Sequence, residues 1–197
     1  MKLQPVPYVL IGIRFLAGPL LVALAYTSGL AARPACVALL AVGVVSDVFD
    51  GMIARRIGSV TDRLRTFDSR TDLVFWVCVT VGVLILHPAL ISSTWPMVAI
   101  LGAMELTTHT VSFLRFRREA SPHHLLSKLF GLGLWALLTQ LIVFGDGGWL
   151  KAPVFALGVA SQLEALAIML MLPVWRADVR GIRHALDLRT DSAGAGA

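Results

Sequence analysis

Six apolar runs of about 20 residues each constrain this chain more than anything else in it. They extend from Pro7 to Tyr26, Ala32 to Ile53, Phe67 to Leu86, Trp95 to Leu114, Leu125 to Phe144 and Pro153 to Val174. A run of that length, helical at 1.5 Å per residue, crosses a hydrocarbon core about 30 Å thick. Lipid offers no hydrogen bonds, so a spanning segment must satisfy its backbone internally, and an α-helix does so. Turn and breaker residues punctuate the runs: Ser28-Gly29, His87-Pro88, Ser121-Pro122, Gly145 to Gly148, and Pro173. Composition agrees, with 57% of the 197 residues hydrophobic and 15% charged, where a soluble domain has about 25% charged. The expected fold is all-α, a polytopic integral membrane protein of six transmembrane helices.

Orientation follows from the basic residues. Arg55, Arg56, Arg63 and Arg65 follow the second run; Arg115, Arg117 and Arg118 follow the fourth; Arg176, Arg180, Arg183 and Arg189 follow the sixth. The alternate loops hold only Arg33 and Lys151. The positive-inside bias places both termini in the cytoplasm of a multi-pass protein, expected in a cell membrane of the bacterial inner-membrane type. The net charge of +5 is therefore a matter of topology and anionic headgroups, not of nucleic-acid binding. Residues 1–189 read as one membrane domain and 190–197 as a disordered tail. No cleavable signal pattern and no internal repeat is read. Cys36 and Cys78 each lie within an apolar run, as small core residues.

Against this background four carboxylates stand out. Asp47 and Asp50 are three residues apart, Asp68 and Asp72 four apart, so each pair projects from one helix face. A buried, unpaired carboxylate costs several kcal/mol, and four of one sign repel each other. A hard divalent cation held between the pairs removes both penalties, because carboxylate oxygens suit Mg2+, Mn2+ or Ca2+. Arg55 marks the cytoplasmic edge of the second run, and Asp50 lies about 7–8 Å deeper at 1.5 Å per residue. That depth is reached both by a soluble charged reactant and by a lipid headgroup whose tails stay in the bilayer. Gly51 and Ala54 share the stripe of Asp47 and Asp50 and let a helix or a planar ligand approach closely.

These residues together resemble the signature of the CDP-alcohol phosphatidyltransferases, class I: Asp-x-x-Asp-Gly-x-x-Ala-Arg, eight residues, Gly, three residues, Asp, three residues, Asp. Asp47, Asp50, Gly51, Ala54, Arg55, Asp68 and Asp72 fall in register, seven of the eight fixed positions. Leu64 stands where the pattern has glycine. The segment Ile13 to Pro19 is similar, more loosely, to the family's first span. The resemblance implies transfer of a phosphatidyl or similar group from a CDP-alcohol, CDP-diacylglycerol foremost, to an acceptor hydroxyl with release of CMP, in phospholipid biosynthesis. It implies one or two Mg2+ or Mn2+ ions on Asp47, Asp50 and Asp68, with Asp72 as a ligand, the general base, or both. It places CDP at Asp47, Gly51, Ala54 and Arg55, and makes a homodimer the expected assembly. Leu64 would narrow the nucleotide pocket, or mark a divergent or inactive relative.

The remaining polar residues leave more than one reading. Arg63, Arg65, Arg115, Arg118 and Lys128 would hold an acceptor phosphate or the donor diphosphate, or serve topology alone. Arg14, Glu105, His109, Gln140 and Glu164 lie inside the runs and are functional candidates by position. Glu105 and His109, four apart, would also satisfy each other. Two rival functions share the acid-rich helices. An intramembrane prenyltransferase keeps its two acid motifs far apart in sequence, unlike the adjacent pairs here. A divalent-cation transporter needs a polar path through both leaflets, but the runs Ala38 to Val45 and Val74 to Leu86 offer only Thr80.

Overall fold

A computed structural model describes residues 6–56, 61–118, 120, 124–176 and 179–194, without the side chains of residues 54, 55, 62, 63, 65 and 191–194. Every regular element among them is helical: α1 (Val6–Ser28), α2 (Arg33–Arg56), α3 (Asp62–Leu86), α4 (Leu90–Phe116), α5 (Leu125–Phe144), α6 (Lys151–Met171) and α7 (Ile182–Gly194). Among the described residues, five stretches are long and apolar enough to cross a membrane. The first, Val6–Ile53, holds both α1 and α2, which a 3-10 turn at Gly29–Ala32 divides. The all-α membrane architecture is thus as the apolar runs predict, with six spans as an approximate number.

Helix and apolar-run boundaries differ at several ends. The third run was read from Phe67, yet α3 starts at Asp62, because the Thr61 side chain accepts a hydrogen bond from the Leu64 amide at 3.2 Å and caps the first turn. α6 ends earlier than its run. The Leu172 amide closes the last turn on the Ile168 carbonyl at 3.0 Å, and Pro173, which lacks an amide hydrogen, follows.

The chain forms two compact units. The first comprises residues 1–93 and 135–148. Within it α1 packs against both α2 and α3. Ile11, Ala17, Leu21 and Ala25 of α1, Cys36 and Leu40 of α2, and Phe75, Val79 and Val83 of α3 are buried. Lipid is as apolar as these side chains, so close approach of the backbones holds such helices together. Gly43 shows the requirement: a Cβ there would lie 2.1 Å from the Phe75 ring. At the other end of α3, the His87 ring nitrogen Nε2 lies 3.1 Å from the Ile142 carbonyl of α5. Gly145, at φ +69°, gives that ring room.

The second unit comprises residues 94–134 and 149–197. One stripe of α6 is buried, from Val154 through Gly158, Ser161 and Ala165 to Ile168 and Met169. Ile168, Met169 and Leu172 join Ala120, Val179 and Ala185 in a cluster that Val111, Phe116, Met171 and Leu188 border. Ala185 and Leu188 bring α7, which extends to Gly194, into that cluster. Residues 195–197 lie outside the described residues.

Candidate active site

The site is assembled from three helices of the first unit. The three-residue spacing on α2 aims Asp47 and Asp50 from one face, and the four-residue spacing on α3 does the same for Asp68 and Asp72. The two faces meet, and α1 inserts Arg14 between them. Nη1 of Arg14 donates to Asp47 Oδ1 at 2.7 Å and to Asp72 Oδ1. Nη2 donates to Asp68 Oδ1 at 2.9 Å and to Asp50 Oδ2. Each terminal nitrogen thereby ties one aspartate of α2 to one of α3. The Arg14 side chain is 1% exposed. The acids are graded in depth: Asp50 and Asp68 are 4% and 8% exposed, Asp72 27% and Asp47 49%. One edge of the cluster is therefore open to a reactant, and the other is sealed.

The Arg14 guanidinium contacts all four carboxylates. The donor set suits a stronger cation: oxygen atoms of Asp47, Asp50 and Asp68 all lie within 4.8 Å of one another. Ligands on opposite sides of Mg2+ are about 4.2 Å apart, at about 2.1 Å from the ion each, so a small closure of these side chains would cage one. The donors are hard oxygens throughout, as Mg2+ or Mn2+ requires.

Arg14 is the residue that sequence reasoning left unplaced. It was visible as an ionisable group inside an apolar run, but its partners were not. An arginine at that depth must find acids, and the four aspartates were the acids at a matching depth. Leu64, at the departing signature position, is buried and packs against Ile11 of α1. Its side chain lies in the α1–α3 contact.

Other sequence candidates fall elsewhere. Gly51 lies on α2 beside Asp50 and is half-buried. The side chains of Ala54, Arg55, Arg63 and Arg65 lie outside the described residues. In the second unit, Arg115 donates to the carbonyls of Met169 at 2.6 Å and Leu172 at 3.2 Å, and also to that of Leu170. It caps the C-terminal end of α6, whose last carbonyls have no helical partner. Arg118 stacks over the Trp175 ring at 4.8 Å, and Lys128 is exposed on α5. Glu105 and His109 meet at 3.0 Å, and Gln162 donates to the same carboxylate. His124 Nδ1 lies 2.8 Å from Glu164 Oε2. Glu105, His109 and Gln162 thus form one polar group within the second unit, and His124 with Glu164 a second.

The sequence profile of the CDP-alcohol phosphatidyltransferases matches residues 5–175. The chain belongs to that family. No curated protein and no solved structure matches it at a significant level. The matched segment contains α1 through α6, and with them all five residues of the Arg14–aspartate cluster. Membership gives the class of chemistry, transfer of a phosphatidyl group from a CDP-alcohol, and a family habit of using divalent metals. In this CDP-alcohol phosphatidyltransferase the triad of Asp47, Asp50 and Asp68 is able to hold such an ion.

Proposed function

We propose that this protein is a metal-dependent phosphatidyltransferase of phospholipid biosynthesis. It takes CDP-diacylglycerol or a related CDP-alcohol as donor and a small alcohol or alcohol phosphate as acceptor. The observation that carries this reading is the convergence of four aspartates from α2 and α3 on one point, with one edge of the cluster exposed. Asp47, Asp50 and Asp68 hold Mg2+ or Mn2+, one or two ions, with Asp72 available as a further ligand. An ion held there would supply positive charge against the donor diphosphate during an in-line displacement.

Asp72 is the general base in this reading. It is more exposed than Asp50 and Asp68, so an acceptor hydroxyl reaches it. Its carboxylate takes the hydroxyl proton as the acceptor oxygen forms a bond to the phosphorus that carries diacylglycerol. The bond from that phosphorus to the bridging oxygen breaks, and CMP leaves with the electron pair. Gly51, Ala54 and Arg55 line the cytidine diphosphate site together with Asp47. Arg63, Arg65, Arg118 and Lys128 supply positive charge for the phosphates. Arg115 is withdrawn from that group, because its guanidinium is committed to the α6 carbonyls. The protein sits in a cell membrane of the bacterial inner-membrane type with both termini cytoplasmic, as a homodimer.

Purified protein given labelled CDP-diacylglycerol, Mn2+ and single acceptors (glycerol phosphate, inositol phosphate, serine) tests the proposal. CMP release that depends on one acceptor is the expected result. Absence of CMP with every acceptor, alongside Mn2+ flux into sealed vesicles, would reject it in favour of transport.

A further inference from the structure

The three aspartates suited to a divalent ion are the ones that Arg14 holds. Its two terminal nitrogens stand between Asp47, Asp50 and Asp68, and no atom of the guanidinium is far from where a shared cation would sit. Arg14 already takes one carboxylate oxygen of each, Asp47 Oδ1, Asp50 Oδ2 and Asp68 Oδ1, so an ion that binds through those oxygens competes with it. Asp50 and Asp68 are buried carboxylates that need positive charge beside them, and Arg14 supplies it to both. The geometry points to Arg14 as a resident counter-ion. We propose that it holds the aspartate cluster together before metal loading and that an incoming divalent ion must displace it from Asp47, Asp50 and Asp68.

This rests on the metal-dependent reading above and adds a competitor to it. Arginine suits the role for three reasons. Its charge is permanent. Its planar fork reaches two helices at once, as the pairing of each terminal nitrogen with one aspartate from α2 and one from α3 shows. Its Nε is buried without a hydrogen-bond partner, so its polar contacts are all made through the two terminal nitrogens. Displacement leaves the guanidinium free to keep Asp72 or to meet a phosphate of the donor.

The test is Mn2+ binding by calorimetry on the detergent-solubilised full chain, with Asp68→Asn as the control for the site itself. Arg14→Gln removes the competitor and should bind Mn2+ at least about tenfold more tightly than the wild type, equivalent to about 1.4 kcal/mol. In metal-free buffer the same variant should melt below the wild type and recover on adding Mn2+. Arg14→Lys, with charge but no fork, should fall between the two. A merely structural arginine predicts the opposite sign, weaker Mn2+ binding once it is removed. Unchanged or weaker binding in Arg14→Gln overturns the proposal, as does a variant that fails to fold with Mn2+ present. If Arg14→Gln folds only with Mn2+, the counter-ion role is supported. Should the wild type and Asp68→Asn bind Mn2+ alike, the metal-dependent reading fails instead, and the two failures are told apart.

Discussion

Leu64 of α3 and Ile11 of α1 bury each other one helical turn away from the ion pair of Asp68 and Arg14. Leu64 is four residues before Asp68, and Ile11 three before Arg14, so the apolar contact and the ionic contact lie along the same seam between the two helices. An ion pair alone fixes no helix rotation, since arginine is long and flexible. The leucine contact beside it supplies a rigid, short-range constraint. A signature glycine at this position would leave the seam unfilled in this chain.

Leu64→Gly should therefore act on stability before it acts on substrate affinity. Removing a buried leucine side chain costs about 2–5 kcal/mol, and glycine in a helix adds about 1 kcal/mol. Denaturant unfolding of the solubilised protein would show the loss, with the Michaelis constant for CDP-diacylglycerol changed little in the folded fraction. An unchanged unfolding midpoint with an improved constant would mean that the leucine obstructs the nucleotide after all.

Asp72→Asn and Asp68→Asn should separate the proton acceptor from the metal cage. Asp72→Asn keeps shape but loses basicity, and transfer should fall by about 10²–10⁴-fold. Mn2+ and CDP binding should persist, because Asp47, Asp50 and Asp68 retain the three oxygens. Asp68→Asn removes a buried ligand and should lose Mn2+ binding and activity together. Calorimetry and CMP release on the same preparations decide. Full activity in Asp72→Asn would reject the base assignment.

Metal removal should be reversible and visible in stability. A ligand that binds only the folded chain stabilises it by about 2.7 kcal/mol at a free concentration one hundred times its dissociation constant. Excess EDTA should abolish CMP release and lower the melting temperature, and added Mg2+ or Mn2+ should restore both. A melting temperature that ignores EDTA while activity is lost would locate the ion on the substrate alone.

Arg115→Ala should loosen α6 and leave acceptor affinity nearly alone. Its guanidinium bonds carbonyls at the end of α6, a charge-assisted contact worth about 1.5–3 kcal/mol per bond at most. Stability should drop by about 1–3 kcal/mol, and faster amide exchange in the last turn of α6 is the local signature. A selective rise in the acceptor's Michaelis constant, without that exchange, would return Arg115 to the phosphate-binding set.

The difference between Arg115 and the aspartates shows what sequence could disclose. Spacing alone put Asp47 with Asp50 and Asp68 with Asp72, because partners on one helix follow from 3.6 residues per turn. Partners on different helices depend on how each helix is rotated about its axis, and apolar runs fix length without fixing rotation. Arg14 and the four aspartates, Leu64 and Ile11, and Arg115 and the α6 carbonyls all belong to that second kind. α7 escaped for another reason. It is polar and short, so a count of apolar spans passes over it, and it gains its order by placing Ala185 and Leu188 on the α6 cluster.

The contact of Gly43 on α2 with the Phe75 ring of α3 gives a last prediction, one that concerns how the aspartate pairs are brought together. Gly43 lies four residues before Asp47, and Phe75 three after Asp72, so their contact sets the spacing of α2 and α3 just beyond the site. A Cβ on Gly43 would lie within 2.9 Å of three atoms of the Phe75 ring, closer than real atoms approach. Gly43→Ala must push the buried ring aside or part the helices, at about 1–3 kcal/mol. If the helices part, the oxygens of Asp47 and Asp68 separate and Mn2+ affinity falls with stability. Phe75→Leu should rescue both in the double variant, with a coupling of about 1 kcal/mol or more in the cycle. Loss of stability in Gly43→Ala without any loss of Mn2+ affinity would show that the ring yields and that the site does not depend on this contact.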